Sequence, residues 1–286
     1  MVKIIADTLS GLPVALAHKL GIPYMPQIVI FGNESYRDDT EIDSKTFLAR
    51  LRASSALPKT AAPPPSLYTP VYEQLLSEGH SIVVLCPSAD VSGTYRSAQV
   101  AAQDFPGADI HVVDTRTIAA SLGNVVLEAH KWALEGCDAE TIIARVHEMV
   151  SRERIYVVVD TLEYLYKGGR IGGAKMLVGS LLQVKPILQF KNGRIEPVEQ
   201  QRTKRRGIAR LKELVAADCP QSPDAHLTIL QGGAEEEAHV LACELQDQFG
   251  LEEEIPIQSL PPAILVHAGP GVLGAAYFVA PNSQEN

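Results

Sequence analysis

The sequence has little of what metal, redox and membrane chemistry draw on. Its four cysteines, Cys86, Cys137, Cys219 and Cys243, are scattered, with no CxxC pair and no metal-ligand spacing, which argues against a disulfide scaffold and a zinc site. Apolar settings such as "IVVLCP" mark them as reduced core residues. The eight histidines contain no HExxH and no tight cluster, so no metal is expected. Positive charge is also scarce. A net charge of -9 argues against DNA, RNA or an anionic membrane as the main partner, since phosphate binding needs a basic face. The one basic cluster, Arg202, Lys204, Arg205, Arg206 and Arg210, has no aromatic residues interleaved for base stacking and reads as a solvated helix start. The longest apolar stretch, "MLVGSLLQVKPILQF", is interrupted by Lys185 and Pro186 and is too short to span a bilayer. The chain opens on a strand-like "VKIIAD" rather than a charged leader, so no signal peptide and a cytoplasmic location are expected.

What is present is an ordinary folding composition. Of the 286 residues, 46% are hydrophobic, enough for a sizeable core in one large domain or two modest ones. The first half alternates strand-like runs ("VKIIAD", "IPYMPQIVIF", "HSIVVLCP", "ADIHVVDT") with helical segments ("PVALAHKLG", "KTFLARLRAS", "LYTPVYEQLLSEG", "YRSAQVAAQDF", 117–135 and 139–151). That alternation predicts a parallel sheet with crossover helices. After "RIYVVVDT" the pattern changes: a glycine-rich "KGGRIGG" leads into an apolar helix around "AKMLVGSLL". Asn192-Gly193 between two β-prone runs predicts a hairpin with a type I′ turn. "AHLTILQG", a helix at 234–249, "EEIPIQSL" and "AILVHA" complete a mixed sheet with helices. The fold class is therefore α/β in two domains, with a boundary near residue 160.

Near the end sits "GPGVLG", in which Gly269, Gly271 and Gly274 satisfy G-x-G-x-x-G. A dinucleotide fingerprint opens a βαβ unit of about 30 residues, with an acidic residue about 20 positions on. Only twelve residues follow Gly274, too few for that unit. "GGRIGGAKM" fails as a P-loop, with its lysine one position late and no Ser or Thr after it. A different chemistry fits the same stretch. The strand "AILVHA" is expected to deliver His267 at its C-terminal end, and Gly269, Pro270 and Gly271 then allow a tight turn that leaves the imidazole approachable. Such a histidine can donate a hydrogen bond to an anion; a buried histidine with a backbone partner is the competing reading. Ser92, Gly93 and Thr94 in "SADVSGTYRSA" are expected at a helix N-terminus, where amides and the helix dipole attract a carboxylate or phosphate. An ordinary N-cap is the alternative there. "PKTAAPPP" sets Thr60 in a proline-stiffened loop. Together these groups make a small polar clamp of hydroxyls and an imidazole.

The segments "PKTAAPPPSLY", "SGTYRSA", "VVDTLEYLYKGGRIGGAKMLVGSLLQVKPIL" and "HAGPGVLG" resemble the DegV family of bacterial fatty-acid-binding proteins, from the first strand to about residue 278. The resemblance implies residues 1–160 as an N-terminal domain carrying the Thr60 and Ser92 loops. Residues 161–286 form a C-terminal domain carrying the GGRIG loop and His267. One long-chain fatty acid is implied between them, its carboxylate held by Thr60, Ser92 and His267. Ala61, Gly93, Thr94 and Arg170 are implied as further ligand-binding or transfer residues. Ala61 and Ala89 stand where serines are common in the family, and "ADTLSGLP" is a shuffled form of its Asp-Ser-Thr start, with Asp7, Thr8 and Ser10 retained. Arg170 is implied near the site, in handing the acyl group on. Also implied is a non-catalytic carrier with no cofactor, presenting the carboxylate to an ATP-binding fatty acid kinase subunit. Two rivals stay open. One is a serine hydrolase using Ser92, Asp114 and His267, which run in the α/β-hydrolase order without its G-x-S-x-G elbow. The other is a lipid sensor with no kinase partner.

Overall fold

A computed structural model describes residues 1–180 and 184–281 of the chain. The chain begins with β1 (Val2–Asp7), α1 (Val14–Leu20), β2 (Tyr24–Met25), β3 (Ile28–Phe31), β4 (Glu34–Arg37) and α2 (Ser44–Ala53). Then come β5 (Lys59–Ala61), α3 (Pro65–Ser77), β6 (Ser81–Cys86), α4 (Thr94–Ala102), β7 (Ile110–Asp114), α5 (Ala119–Leu134) and α6 (Ala139–Ser151). The remainder is β8 (Glu153–Val158), α7 (Glu163–Lys167), a 3-10 helix (Gly172–Ser180), β9 (Lys185–Lys191), β10 (Arg194–Gln201) and α8 (Lys204–Asp218). It closes with β11 (Thr228–Gly232), α9 (Glu235–Phe249), β12 (Ile257–Ser259), α10 (Pro262–Ala268) and β13 (Val272–Phe278). The helix expected around 174–182 is a 3-10 segment as far as Ser180; positions 181 and 182 lie outside the described residues.

Two units result. The first takes Met1–Asp43 and Pro58–Ser151; the second takes Ser44–Leu57 and Arg152–Asn286. The sequence placed the boundary near residue 160 and read all of 1–160 as one domain. In the structure the division falls between Ser151 and Arg152, and α2 groups with the second unit. The reason is pairing: β8 lies antiparallel between β13 and β9, and strand partners so distant in sequence leave no local signal.

In the first unit, β2-β1-β6-β7 form the expected parallel sheet. Its strands read as nearly continuous apolar runs because both faces are covered. Ile5, Ile82, Val84 and Cys86 pack with Tyr68 and Tyr72 of α3 and Ala98 and Ala101 of α4. A separate antiparallel sheet, β4-β3-β5, turns three residues of the proline-rich loop into a strand, with Val29 opposite Thr60. In the second unit the order is β10-β9-β8-β13-β11-β12, antiparallel except for β11 with β12. Its core gathers Val158, Ile187, Leu273 and Tyr277 from the sheet with Leu211, Val215, Leu241 and Leu245 from α8 and α9. Asn192 and Gly193 both have positive φ, as a type I′ turn requires.

Two expectations are corrected here. "AILVHA" is helix α10, not a strand, and the strand follows it as β13. A four-residue apolar run fits either state; Pro262 at the helix start and Gly269 at its C-cap are the helix signals that decide it. The cysteines are free, but only Cys86 and Cys219 are buried; Cys137 is half-buried and Cys243 exposed. The basic cluster does open a helix: Thr203 caps α8 by accepting from the Arg206 amide, Lys204 pairs with Glu237 at 2.9 Å and Arg210 with Glu199 at 2.7 Å. Among the described residues no helix is long and apolar enough to cross a membrane, and no cluster of His, Cys, Asp and Glu is placed to hold a metal.

Candidate functional site

In the first unit the end of β5 and the turn before α4 come together at Ala62 and Gly93. Pairing with β3 holds Thr60 half-buried and leaves Ala61 exposed. A Cβ on Gly93 would touch that of Ala62 at 3.4 Å, so Ala62, just after β5, and Gly93, just before α4, are neighbours. The turn is built by its own backbone: the amides of Val91 and Ser92 donate to the Ser88 carbonyl at 3.1 and 3.0 Å. Asp114, at the end of β7, steadies it by accepting the amides of Ala89 and Arg116 at 3.1 and 3.0 Å. Arg116 pairs with Asp90 at 3.1 Å.

Ser92 ends this turn, its hydroxyl 2.9 Å from that of Thr94 and accepting the Thr94 amide at 3.3 Å. One helix-start amide is therefore already taken. Ser92 stays half-buried and Gly93 exposed, whereas Thr94 is buried. Thr94 turns inward: its hydroxyl donates to Asp7 Oδ2 at 2.9 Å and accepts from Gln27 Nε2 at 2.8 Å. Behind it lies a polar network that sequence reasoning missed. Gln27 Nε2 also donates to Asp7 Oδ2 at 2.7 Å, the Leu9 amide to Asp7 Oδ1 at 3.1 Å, and Thr8 to Asp38 at 2.7 Å. Burial pushes the Asp7 carboxyl up to about 7, partly opposed by the Thr94 hydrogen bond. The only sequence signal was a retained Asp-Thr at the end of an apolar strand.

The nucleophile elbow of a hydrolase sets its serine directly between strand and helix. Here Ser92 follows Cys86, the last residue of β6, only after a five-residue turn, and Asp114 is engaged with backbone amides.

In the second unit His267 lies in the last turn of α10, half-buried. The room it occupies is made by Gly168, outside the HAGPG motif: a Cβ there would lie 2.2 Å from His267 Nδ1 and 2.9 Å from the Tyr164 carbonyl. The motif glycines serve other approaches. Gly269, at φ +77°, would drive a Cβ into the Tyr164 ring at 2.4 Å. Gly274 sits inside β13 opposite Leu230 and Val157. The imidazole thus rests against the turn after α7, whose conformation Arg170 fixes by donating from Nη1 to the Gly168 carbonyl at 2.8 Å. Burial first, then the Arg170 charge, lowers the His267 pKa to about 4. At neutral pH the ring is uncharged and offers one N–H donor and one acceptor.

The structure thus places Ser92 and Thr94 in one hydrogen-bonded pair, with Ala62 beside the intervening Gly93. It places His267 and Arg170 around Gly168. Hydroxyls, a neutral imidazole and a guanidinium are donors suited to an oxyanion.

Comparison with known proteins gives similarity along nearly the whole chain. Residues 1–280 match the family model described as "Uncharacterised protein, DegV family". The chain is 33% identical over 279 residues to a DegV domain-containing protein of Halalkalibacterium halodurans, covering 97% of this chain and 98% of the other. Among solved structures it is similar to a fatty-acid-binding DegV family protein from Thermus thermophilus, with TM-score 0.88 and 31% identity over 98% of this chain and 99% of that one. DegV of Bacillus subtilis, a fatty acid binding protein, gives TM-score 0.87 and 30% identity over the same shares. With similarity running through both units almost end to end, the chain belongs to the DegV family.

Proposed function

We propose that this protein binds a long-chain fatty acid, holds its carboxylate with Thr60, Ser92 and His267, and presents it to a separate ATP-binding kinase for conversion to an acyl phosphate. The observation that carries the reading is full-length similarity, at 31% identity, to a DegV protein described as binding fatty acid. The chemistry of the residues supports it. Burying a methylene contributes about 0.8 kcal/mol, so a chain of about fifteen gains roughly 12 kcal/mol before ordering costs. The polar groups need not supply affinity. Their part is to satisfy a carboxylate whose burial unpaired costs several kcal/mol. A neutral His267 suits this role as a donor, with Ser92 and Thr60 as further hydroxyl partners.

In the presentation step a carboxylate oxygen attacks the γ-phosphorus of ATP and ADP departs. The Arg170 guanidinium, close enough to lower the His267 pKa, suits the charge that develops there. The protein itself holds no cofactor in this reading and acts as a carrier in the cytoplasm.

The test is fatty acid content. Extract lipid from the purified protein, then delipidate, reload with palmitate and quantify by native mass spectrometry for wild type, Ser92→Ala and His267→Ala. Both variants are expected to lose at least tenfold in retention. Wild-type retention in both refutes the clamp.

A further inference from the structure

The "ADT" at the end of β1 plays no part in the clamp just described, yet it carries a buried carboxylate joined to Ser92 through a single hydroxyl. Asp7 is 1% exposed. The titratable groups facing it are Asp38 after β4, Tyr24 of β2, Cys86 of β6 and Tyr68 of α3. None of these is a cation, and α4 contributes the neutral Thr94 hydroxyl. The Asp7 carboxyl titrates near 7, so both of its forms are populated around neutral pH.

The two forms impose opposite directions on the hydrogen bonds outside them. A hydroxyl has one proton to donate and two lone pairs. When Asp7 is ionised it only accepts, so Thr94 gives its proton to Oδ2. The Thr94 lone pairs then take Gln27 Nε2–H and the Ser92 proton. Ser92, with one lone pair held by the Thr94 amide, is left with only its other lone pair to offer, which repels a carboxylate. When Asp7 is protonated, its O–H and Gln27 fill the Thr94 lone pairs, Thr94 gives its proton to Ser92, and the Ser92 proton is free to point outward.

We propose that Asp7 is a positioning residue for the ligand head group: the direction of hydrogen bonds along Asp7–Thr94–Ser92 decides whether Ser92 offers a proton or a lone pair, so binding a fatty carboxylate draws one proton from solvent onto Asp7. This rests on Ser92 touching the carboxylate, as in the reading above.

The experiment measures palmitate affinity of the delipidated protein at pH 6 and pH 8 for wild type, Asp7→Asn, Thr94→Val and Ser92→Ala. Titration of palmitate itself is common to all four and cancels in the ratio between proteins. For a group titrating near 7, wild type is expected to weaken about tenfold more from pH 6 to pH 8 than Asp7→Asn, which has no charge to gain. Thr94→Val, which cuts the relay but keeps Asp7, is expected to lose the same pH dependence and stands in if Asp7→Asn does not fold. If wild type, Asp7→Asn and Thr94→Val share one pH ratio while Ser92→Ala weakens binding, the relay is wrong and the clamp survives. If Ser92→Ala binds as wild type does at both pH values, the clamp fails and the relay with it.

Discussion

Gly168→Ala separates the role of the imidazole from general stability. Gly168 has φ −78° and ψ −7°, ordinary helical values. Alanine there adds no backbone strain, and by restricting the unfolded chain it favours the fold by about 0.4–1 kcal/mol. The contacts oppose this. The new methyl would lie 2.2 Å from His267 Nδ1, and ordinary contact begins at 3.4 Å, so the ring must retreat by about 1.2 Å (3.4 minus 2.2). The Tyr164 carbonyl, 2.9 Å from the same methyl, cannot follow without loosening its bond from the Gly168 amide at 2.8 Å. Overpacking of this kind costs about 1–3 kcal/mol, leaving a net loss of about 0–2.6 kcal/mol once the chain-entropy gain is set against it. A ring moved by 1.2 Å also leaves the 2.7–3.2 Å window of about one hydrogen bond, so palmitate retention should fall with the melting temperature. Gly169→Ala is the control: at φ +72° with nothing within 4 Å, it pays about 1–2 kcal/mol of left-handed strain and should keep its lipid. Thermal unfolding and native mass spectrometry of both variants decide. Equal retention in the two, or Gly168→Ala melting above wild type, refutes the reasoning.

Two further outcomes are expected. The folded pKa of His267, about 4, lies below its unfolded value of about 6.5. The ring should therefore show neutral-form NMR shifts from pH 8 down to about 5, and its contribution to stability should be present above 6.5 and fade as pH falls towards 4; a midpoint near 6.5 in the delipidated protein refutes this. The Tyr68 hydroxyl is buried with no hydrogen-bond partner among the described residues, so Tyr68→Phe should leave urea stability unchanged or raise it by about 1 kcal/mol, and a loss of more than 1 kcal/mol refutes it.

Much of the architecture was legible because it is written locally. The apolar runs of β1 and β6 spaced by helices announce a parallel sheet, and Asn192-Gly193 announces its turn. The antiparallel sheet of β3, β4 and β5 was not legible, since Lys59–Ala61 is strand only through pairing with Ile28–Ile30 inside a proline-rich segment. The α10 helix was misread because periodicity cannot act over four apolar residues, and the flanking Pro262 and Gly269 carried the information instead. At the candidate site, Ser92 at a helix entry and His267 beside glycines were visible as residue types. Gly168 was not, because its purpose is the space beside a side chain about a hundred positions away. The buried Asp7–Gln27–Thr94 network was hidden for the same reason: its members come from β1, the link between β2 and β3, and α4.

The grouping of α2 with the second unit bears on how the chain is made. Ser44 donates to the Leu260 carbonyl at 2.8 Å, Leu48 packs by Gly233, and Phe47, Leu48 and Leu51 are all buried. During synthesis this helix emerges early, while α10 ends at Ala268. At about 5–20 residues per second its greasy face has to wait roughly 10–40 s for the surface that covers it. Nor does one cut at the Ser151–Arg152 link yield two whole fragments: the leading piece keeps an amphipathic helix it has no use for, and the trailing piece is missing it.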